Sequence, residues 1–181
     1  MGKKLSNTEN FKKIILIGLE NSGKTSISLS LTGKKGLQSF LELKPTKGVK
    51  TVNFEALDTN FVIWDLGGQE KFREHYIQDH KKIFAGTSKI IYVIDIQDQN
   101  KYILALEYLK KIIGLIKKDL ENVEFNVFLH KYDPDLDITH PDLNPKQINE
   151  LITKINAVIP EDLPFKISKS SIYAVFEKSD L

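Results

Sequence analysis

The residues best equipped for chemistry stand in one run, Gly18-Leu19-Glu20-Asn21-Ser22-Gly23-Lys24-Thr25. It follows the apolar stretch Ile14 to Ile17 and opens into Ser26-Ile27-Ser28-Leu29-Ser30-Leu31, where a helix is expected. A GxxxxGKT segment between a strand and a helix start is suited to holding a polyphosphate. Its glycines let the backbone N–H groups from Glu20 to Ser26 (Glu20, Asn21, Ser22, Gly23, Lys24, Thr25, Ser26) close around the α and β phosphates, and the helix N-terminus adds partial positive charge. Lys24 is placed to reach the β and γ phosphates, and the Thr25 hydroxyl to ligate Mg²⁺.

Such a loop needs a sheet behind it. Thr51 to Ala56 alternates as a half-exposed strand, and Asp58-Thr59-Asn60 is expected to turn it into Phe61-Val62-Ile63-Trp64 as an antiparallel hairpin. Lys89 to Asp95 and Phe125 to His130 are nearly continuously apolar, the mark of parallel strands buried on both faces. Between them Tyr102, Ala105, Leu106, Leu109, Ile112, Ile113 and Ile116 recur at helical spacing. A second crossover helix begins at Asn144-Pro145 and stops before Pro160; Phe165-Lys166-Ile167 is a short last strand, and Ser171 to Leu181 a last helix. This alternation specifies an α/β sheet with helices on both faces, whose ligands bind at the carboxyl ends of the strands.

Three further strand ends carry polar groups. In Pro45-Thr46-Lys47-Gly48 the Thr46 hydroxyl can complete a Mg²⁺ shell when a γ-phosphate is present. In Trp64-Asp65-Leu66-Gly67-Gly68-Gln69-Glu70, Asp65 can hold Mg²⁺ through water, the Gly68 N–H can approach the γ-phosphate, and Gln69 can orient an attacking water. In His130-Lys131-Tyr132-Asp133 the aspartate can accept from the N1–H and N2–H₂ edge of guanine, with the Lys131 stem covering the base. Taken alone, PTKG fits a plain turn and HKYD a solvated loop.

Together, GLENSGKT, PTKG, WDLGGQE and HKYD resemble the small GTPases of the Ras superfamily, and WDLGGQ is similar to the Arf and Rag/Gtr branches. The resemblance runs from Phe11 to about Phe176. It implies a P-loop GTPase fold, α/β, with a six-stranded mostly parallel sheet and one antiparallel edge strand. It implies GTP/GDP and Mg²⁺ as ligands, Gln69 and Lys24 as catalytic groups, and Thr25, Thr46 and Asp65 at the metal. His130 stands where the family's base motif usually has asparagine and is closer to the Rag pattern, as is Ser171-Ile172-Tyr173. Ser168-Lys169-Ser170 corresponds to the second base loop, so Ser168 and Lys169 join the nucleotide-binding set. Trp64 matches the aromatic effector cluster of Arf proteins, but Val49 and Asp79 replace its other two members. Implied partners are activating and exchange proteins, effectors, and a second GTPase in a dimer. Rag-like proteins carry a C-terminal dimerisation domain beyond this one, and the last helix here stops early, as in a truncated chain.

The resemblance and the residues predict slow, Mg²⁺-dependent hydrolysis of GTP to GDP and a molecular switch made by the loops around Thr46 and Gln69. Only Arg73 among the 26 basic residues is arginine, so no arginine finger can come from the loop before Thr46, and Arg73 is expected to brace its own loop or meet a partner. The competing reading is a nucleotide-loaded interaction module with little or no hydrolysis; a P-loop ATPase is a third, which HKYD argues against.

Composition narrows the remainder. With 26 Lys+Arg against 24 Asp+Glu the net charge is +2, which argues against a nucleic-acid partner. Cysteine is absent, so disulfides and thiolate chemistry are excluded and a cytoplasmic setting is expected. Residues 1–10 are expected to be a flexible leader before a GTPase domain spanning 11–181. Met1-Gly2-Lys3-Lys4-Leu5-Ser6 fits the myristoylation pattern at Gly2, but the leader has no second anchoring signal, so membrane association is at most peripheral.

Overall fold

The computed structural model describes residues 11–33, 40, 42–117 and 123–173. The expected leader with its Gly2 modification lies outside them. The elements in chain order are β1 (Phe11–Gly18), α1 (Lys24–Leu31), β2 (Val49–Ala56), β3 (Thr59–Leu66), α2 (Glu70–Gln78), α3 (His80–Phe84) and β4 (Thr87–Asp95). There follow a 3₁₀ turn (Gln99–Lys101), α4 (Tyr102–Ile116), β5 (Glu124–His130), α5 (Leu136–Thr139), α6 (Pro145–Val158) and β6 (Phe165–Ser170). The six strands form one sheet in the order β2-β3-β1-β4-β5-β6, parallel except for the antiparallel β2–β3 pair at one edge. This is the sheet the motifs implied.

Strand alternation sorts the apolar residues into two cores. Ile15 and Ile17 of β1 with Ile90, Tyr92 and Ile94 of β4 face the larger cluster, where Leu109, Ile112 and Ile113 of α4 and Leu151 and Ile155 of α6 cover them. Ile14, Leu16, Ile91 and Val93 face the other way, against Ile27 of α1. Burial on both faces explains why β1 and β4 read as unbroken apolar runs. The α6 start has the full reciprocal cap: Asn144 Oδ1 accepts from the Lys146 and Gln147 N–H groups, and the Gln147 side chain accepts from the Asn144 N–H. Among the described residues no helix is long and apolar enough to cross a membrane.

Three expectations are corrected. The β2–β3 turn is Leu57-Asp58, not Asp58 to Asn60; both turn residues have positive φ (50° and 54°), and Thr59 and Asn60 already pair with Ala56 and Glu55. Arg73 lies on a helix, α2, rather than a loop. Ser171 to Tyr173, expected to open the last helix, have no regular secondary structure, and the remainder of that helix falls outside the described residues.

Lys13 ties the sheet to its surroundings on the β3 side. Its Nζ lies 3.6 Å from the Trp64 ring centroid and donates to the carbonyls of Ile83 (2.7 Å) and Ala85 (3.0 Å) at the end of α3. A cation at a helix C-terminus and over an indole face is favourable on both counts.

A two-residue hairpin turn with both φ values positive favours Asn or Gly, and Leu57 is 97% exposed, so its side chain gains little from packing. Leu57→Asn is therefore expected to stabilise the fold by about 0.5–1 kcal/mol, read as a higher urea midpoint at unchanged m-value.

Candidate functional site

The loop between β1 and α1 wraps back on itself. Asn21 (φ 61°) and Gly23 (φ 88°) take left-handed backbone, and a Cβ at Gly23 would lie 2.3 Å from Cδ2 of His130, so glycine is required for the imidazole to pack there. Lys24 is only 5% exposed; its Nζ donates to the Leu19 carbonyl (2.6 Å) and Ser22 Oγ (3.3 Å), while Ser22 Oγ donates to Leu19 O (2.9 Å). Burial pulls the Lys24 ammonium down to about 8, against the opposing pull of the Asp65 and Glu20 carboxylates. A desolvated ammonium with incomplete counter-charge is a natural partner for a phosphate. The loop opens on a cavity of about 440 Å³ lined by Glu20 to Ser26, Leu43 to Thr46, Leu66 to Gln69 and Lys101.

Three oxygens from separate elements converge beside this cavity. Thr25 Oγ1 donates to Asp65 Oδ2 at 2.6 Å, Thr46 Oγ1 donates to the same oxygen at 3.0 Å, and the two hydroxyls are 3.0 Å apart. Asp65 is fully buried, and its Oδ1 has no hydrogen-bond partner. A buried carboxylate with an orphaned oxygen and two neighbouring hydroxyls is an all-oxygen donor set, which suits a hard cation such as Mg²⁺. Asp65 and Thr25 would hold it from the sheet and α1, and Thr46 from the loop before β2.

Gly67 and Gly68 press against both neighbouring loops. The Glu20 N–H donates to Gly68 O at 3.1 Å, and a Cβ at Gly68 would meet that nitrogen at 2.2 Å. Gln69 follows at the position before α2, making no capping bond with its side chain, on the wall of the cavity. The loop holding Thr46 is joined to α2 through one acceptor: the Gly48 carbonyl takes the Gly67 N–H (2.8 Å) and the Tyr76 hydroxyl (2.8 Å). Burial pushes the Tyr76 phenol up to about 12, so it is a neutral donor. Arg73, three residues before it, stacks on α4, its guanidinium carbon 5.2 Å from the Tyr108 ring centroid.

At the far end of the loop, His130 bridges phosphate loop and base motif. Its Nδ1 lies 3.0 Å from Ser170 Oγ; burial, then the Lys131 ammonium, hold the imidazole below its usual pKa. Lys131 (φ 62°) pairs with Asp95 Oδ2 at 2.6 Å. Asp133 accepts from Gln97 Nε2 (2.9 Å) and from the Ser171 hydroxyl.

The segment Ser168 to Ser170 is not a loop but the end of β6, held by parallel pairing of Phe128 with Ser168 and of His130 with Ser170. Lys169 Nζ lies over the Tyr132 ring, 4.3 Å from its centroid, and bonds its hydroxyl (3.0 Å); Ser168 sits two residues back from the strand end. Ser171, one step further on, is the residue that touches Asp133. Gln97 and Tyr76 escaped the sequence reading. Gln97 could have been found by following β4, as the other strands were followed, to its carboxyl end.

Residues 13–176 match the family model described as the Gtr1/RagA G protein conserved region. The chain is 37% identical over 122 residues to Ras-related GTP-binding protein C of Homo sapiens, which covers 67% of this chain and 30% of that protein. It is 36% identical over 123 residues to ADP-ribosylation factor-like protein 5 of Caenorhabditis elegans, covering 67% of this chain and 62% of the relative. The chain thus spans about a third of the length of the first relative and under two thirds of the second. In fold it is similar to the Arl6 BBS3 small GTPase of Trypanosoma brucei, solved with the nucleotide analogue GppNp, at a TM-score of 0.64 and 24% identity over 90% of this chain and 87% of that one.

The Tyr76 hydroxyl offers a direct test of the link between α2 and the Thr46 loop. Tyr76→Phe removes one partly buried hydrogen bond while Gly48 O keeps the Gly67 N–H, so the fold should lose about 1 kcal/mol, measured by denaturant unfolding of the nucleotide-free protein.

Proposed function

This chain belongs to the Gtr1/RagA family of G proteins, and on that footing we propose that it binds GTP and GDP with Mg²⁺, hydrolyses GTP slowly, and switches state through the loops carrying Thr46 and Gln69. The observation that carries this reading is the meeting of Thr25, Thr46 and the Asp65 carboxylate, with its unpartnered Oδ1, at the mouth of the phosphate loop. The name of the human relative, a GTP-binding protein, and the GppNp in the Trypanosoma structure point the same way.

In this mechanism the loop amides and Lys24 neutralise the β and γ phosphates, and the buried ammonium recovers the counter-charge that desolvation denies it. Thr25, Thr46 and Asp65 would hold Mg²⁺, which would supply charge stabilisation at the phosphates. Gln69, at the start of α2 on the cavity wall, orients the attacking water. The γ-phosphate would hold Thr46 and Gly68, ordering the loops on either side of the hairpin, and hydrolysis would release them. Asp133 reads the guanine edge, and His130, Lys131 and Lys169 frame the base.

In this reading turnover by the chain alone is slow because it offers no arginine finger to the transferring phosphoryl. The segment before Thr46 holds lysines but no arginine, and Arg73 is engaged with Tyr108. An activating protein that brings an arginine would add on the order of 10³ to 10⁵. Exchange proteins, effectors and pairing with a second GTPase complete the set of partners in this reading.

The deciding experiment measures GDP and GTP affinity with Mg²⁺ against ATP as competitor, then single-turnover hydrolysis. Guanine-selective binding with slow turnover is expected; equal affinity for ATP would sink the reading. Gln69→Leu should slow hydrolysis at least about tenfold with GTP affinity unchanged, and equal rates would remove Gln69 from its role. Removing Mg²⁺ with a chelator should weaken GTP binding far more in the parent than in Asp65→Ala, checked by nucleotide release.

A further inference from the structure

The carboxylate of Asp133 is gripped from outside the tetrapeptide that carries it. Gln97, in the turn leaving the carboxyl end of β4, donates from Nε2 both to Asp133 Oδ2 and to the Lys131 carbonyl, each at 2.9 Å. That uses both hydrogens of its amide. On the opposite oxygen, the Ser171 hydroxyl donates to Asp133 Oδ1. Gln97 is itself held in place. Its N–H donates to Asp95 Oδ1 at 3.0 Å, the neighbouring Ile96 N–H donates to His130 O at 3.1 Å, and the Ile96 carbonyl accepts from the Tyr102 hydroxyl. The other Asp95 oxygen pairs with Lys131 Nζ. Lys131 has a φ of 62°, a left-handed backbone that a β-carbon disfavours and that survives where its surroundings hold it. The Gln97 amide on its carbonyl is one such hold.

We propose that Gln97 is a positioning residue that fixes the orientation of the Asp133 carboxylate and thereby sets the stringency of guanine recognition; this rests on the guanine-nucleotide reading above. An ionised carboxylate has about four acceptor positions, two on each oxygen. Gln97 takes one on Oδ2 and Ser171 one on Oδ1, leaving one free position on each oxygen. Guanine presents N1–H and a 2-amino group side by side and needs both free positions in its own plane. Without the Gln97 amide the carboxylate can pivot about Cβ–Cγ, and one of the two bonds to guanine is lost. Hypoxanthine offers N1–H but no 2-amino group, so it has less to lose. Gln97 therefore acts on the difference between the two bases rather than on nucleotide affinity as a whole.

The test uses the full chain and Gln97→Met, which preserves side-chain length and removes the amide, with GDP, IDP and ADP affinities measured in Mg²⁺ buffer. The parent should prefer GDP to IDP, and IDP to ADP. In the variant GDP binding should weaken about tenfold, IDP binding should weaken less, and ADP binding should stay the same, so the GDP/IDP ratio narrows. An unchanged GDP/IDP ratio, or an equal loss for all three nucleotides, would overturn the role of Gln97 while leaving guanine binding intact. A parent that fails to prefer GDP over ADP would instead overturn the guanine reading itself, before any variant is made. Gln97 is half-buried at the edge of its turn; should the methionine variant not fold, Gln97→Ala gives the same ratio test.

Discussion

One buried carboxylate organises the functional end of the molecule. Asp65 ends a strand fully out of solvent, and an ionised group there is costly unless its acceptors are filled. The chain fills one oxygen with the Thr25 and Thr46 hydroxyls and leaves the other without a partner. The helix after the phosphate loop, the strand end and the loop before β2 are thus drawn to one point. Lys24 responds to the same field: the Asp65 carboxylate partly offsets the burial that pulls its ammonium down. Much of the local architecture is an answer to the question of how to keep that one anion in the interior.

The sheet order makes the convergence possible. With β1 central, flanked by β3 and β4, the carboxyl ends of three parallel strands open onto the same crevice, and β5 and β6 extend the row to the base motif. Parallel pairing carries the alignment onward: His130 lies opposite both Asp95 of β4 and Ser170 of β6, so residues from three distant segments end level with one another. His130 then packs on Gly23, joining the two ends of the site through a contact that any side chain at that glycine would prevent.

What could be read from the chain divides along the range of the interaction that decides it. The phosphate loop, the hairpin and the two long crossover helices were legible because each is determined within a few residues, by glycine spacing, alternation or an apolar stripe with a cap. The sheet and its antiparallel edge followed from those. α2 was not legible: in Glu70 to Gln78 only Tyr76 is fully buried, and Phe72, Tyr76 and Ile77 make an apolar stripe of barely more than one turn. Its order comes from what Tyr76 and Arg73 reach elsewhere. The segment Ser168 to Ser170 was misread for the same reason, since it is strand by virtue of pairing with residues about forty positions earlier. The bonds of Gln97 and Ser171 to Asp133 span 36 and 38 positions and depend on strand register, so only the place of Gln97 at the carboxyl end of β4 is a signal in the sequence.

The shared acceptor at Gly48 has a mechanical meaning. Because Gly67 and Tyr76 both donate to the carbonyl two residues after Thr46, the loop before β2, the segment after β3 and the helix α2 meet at a shared acceptor. If Thr46 leaves Asp65 in the proposed switch, the Tyr76 bond at α2 would be loaded, and a grip on α2 would resist the displacement by the same free energy, since coupling between two sites is reciprocal. On that reading, a protein touching only the outer surface of α2 would sense the state of the cavity without entering it.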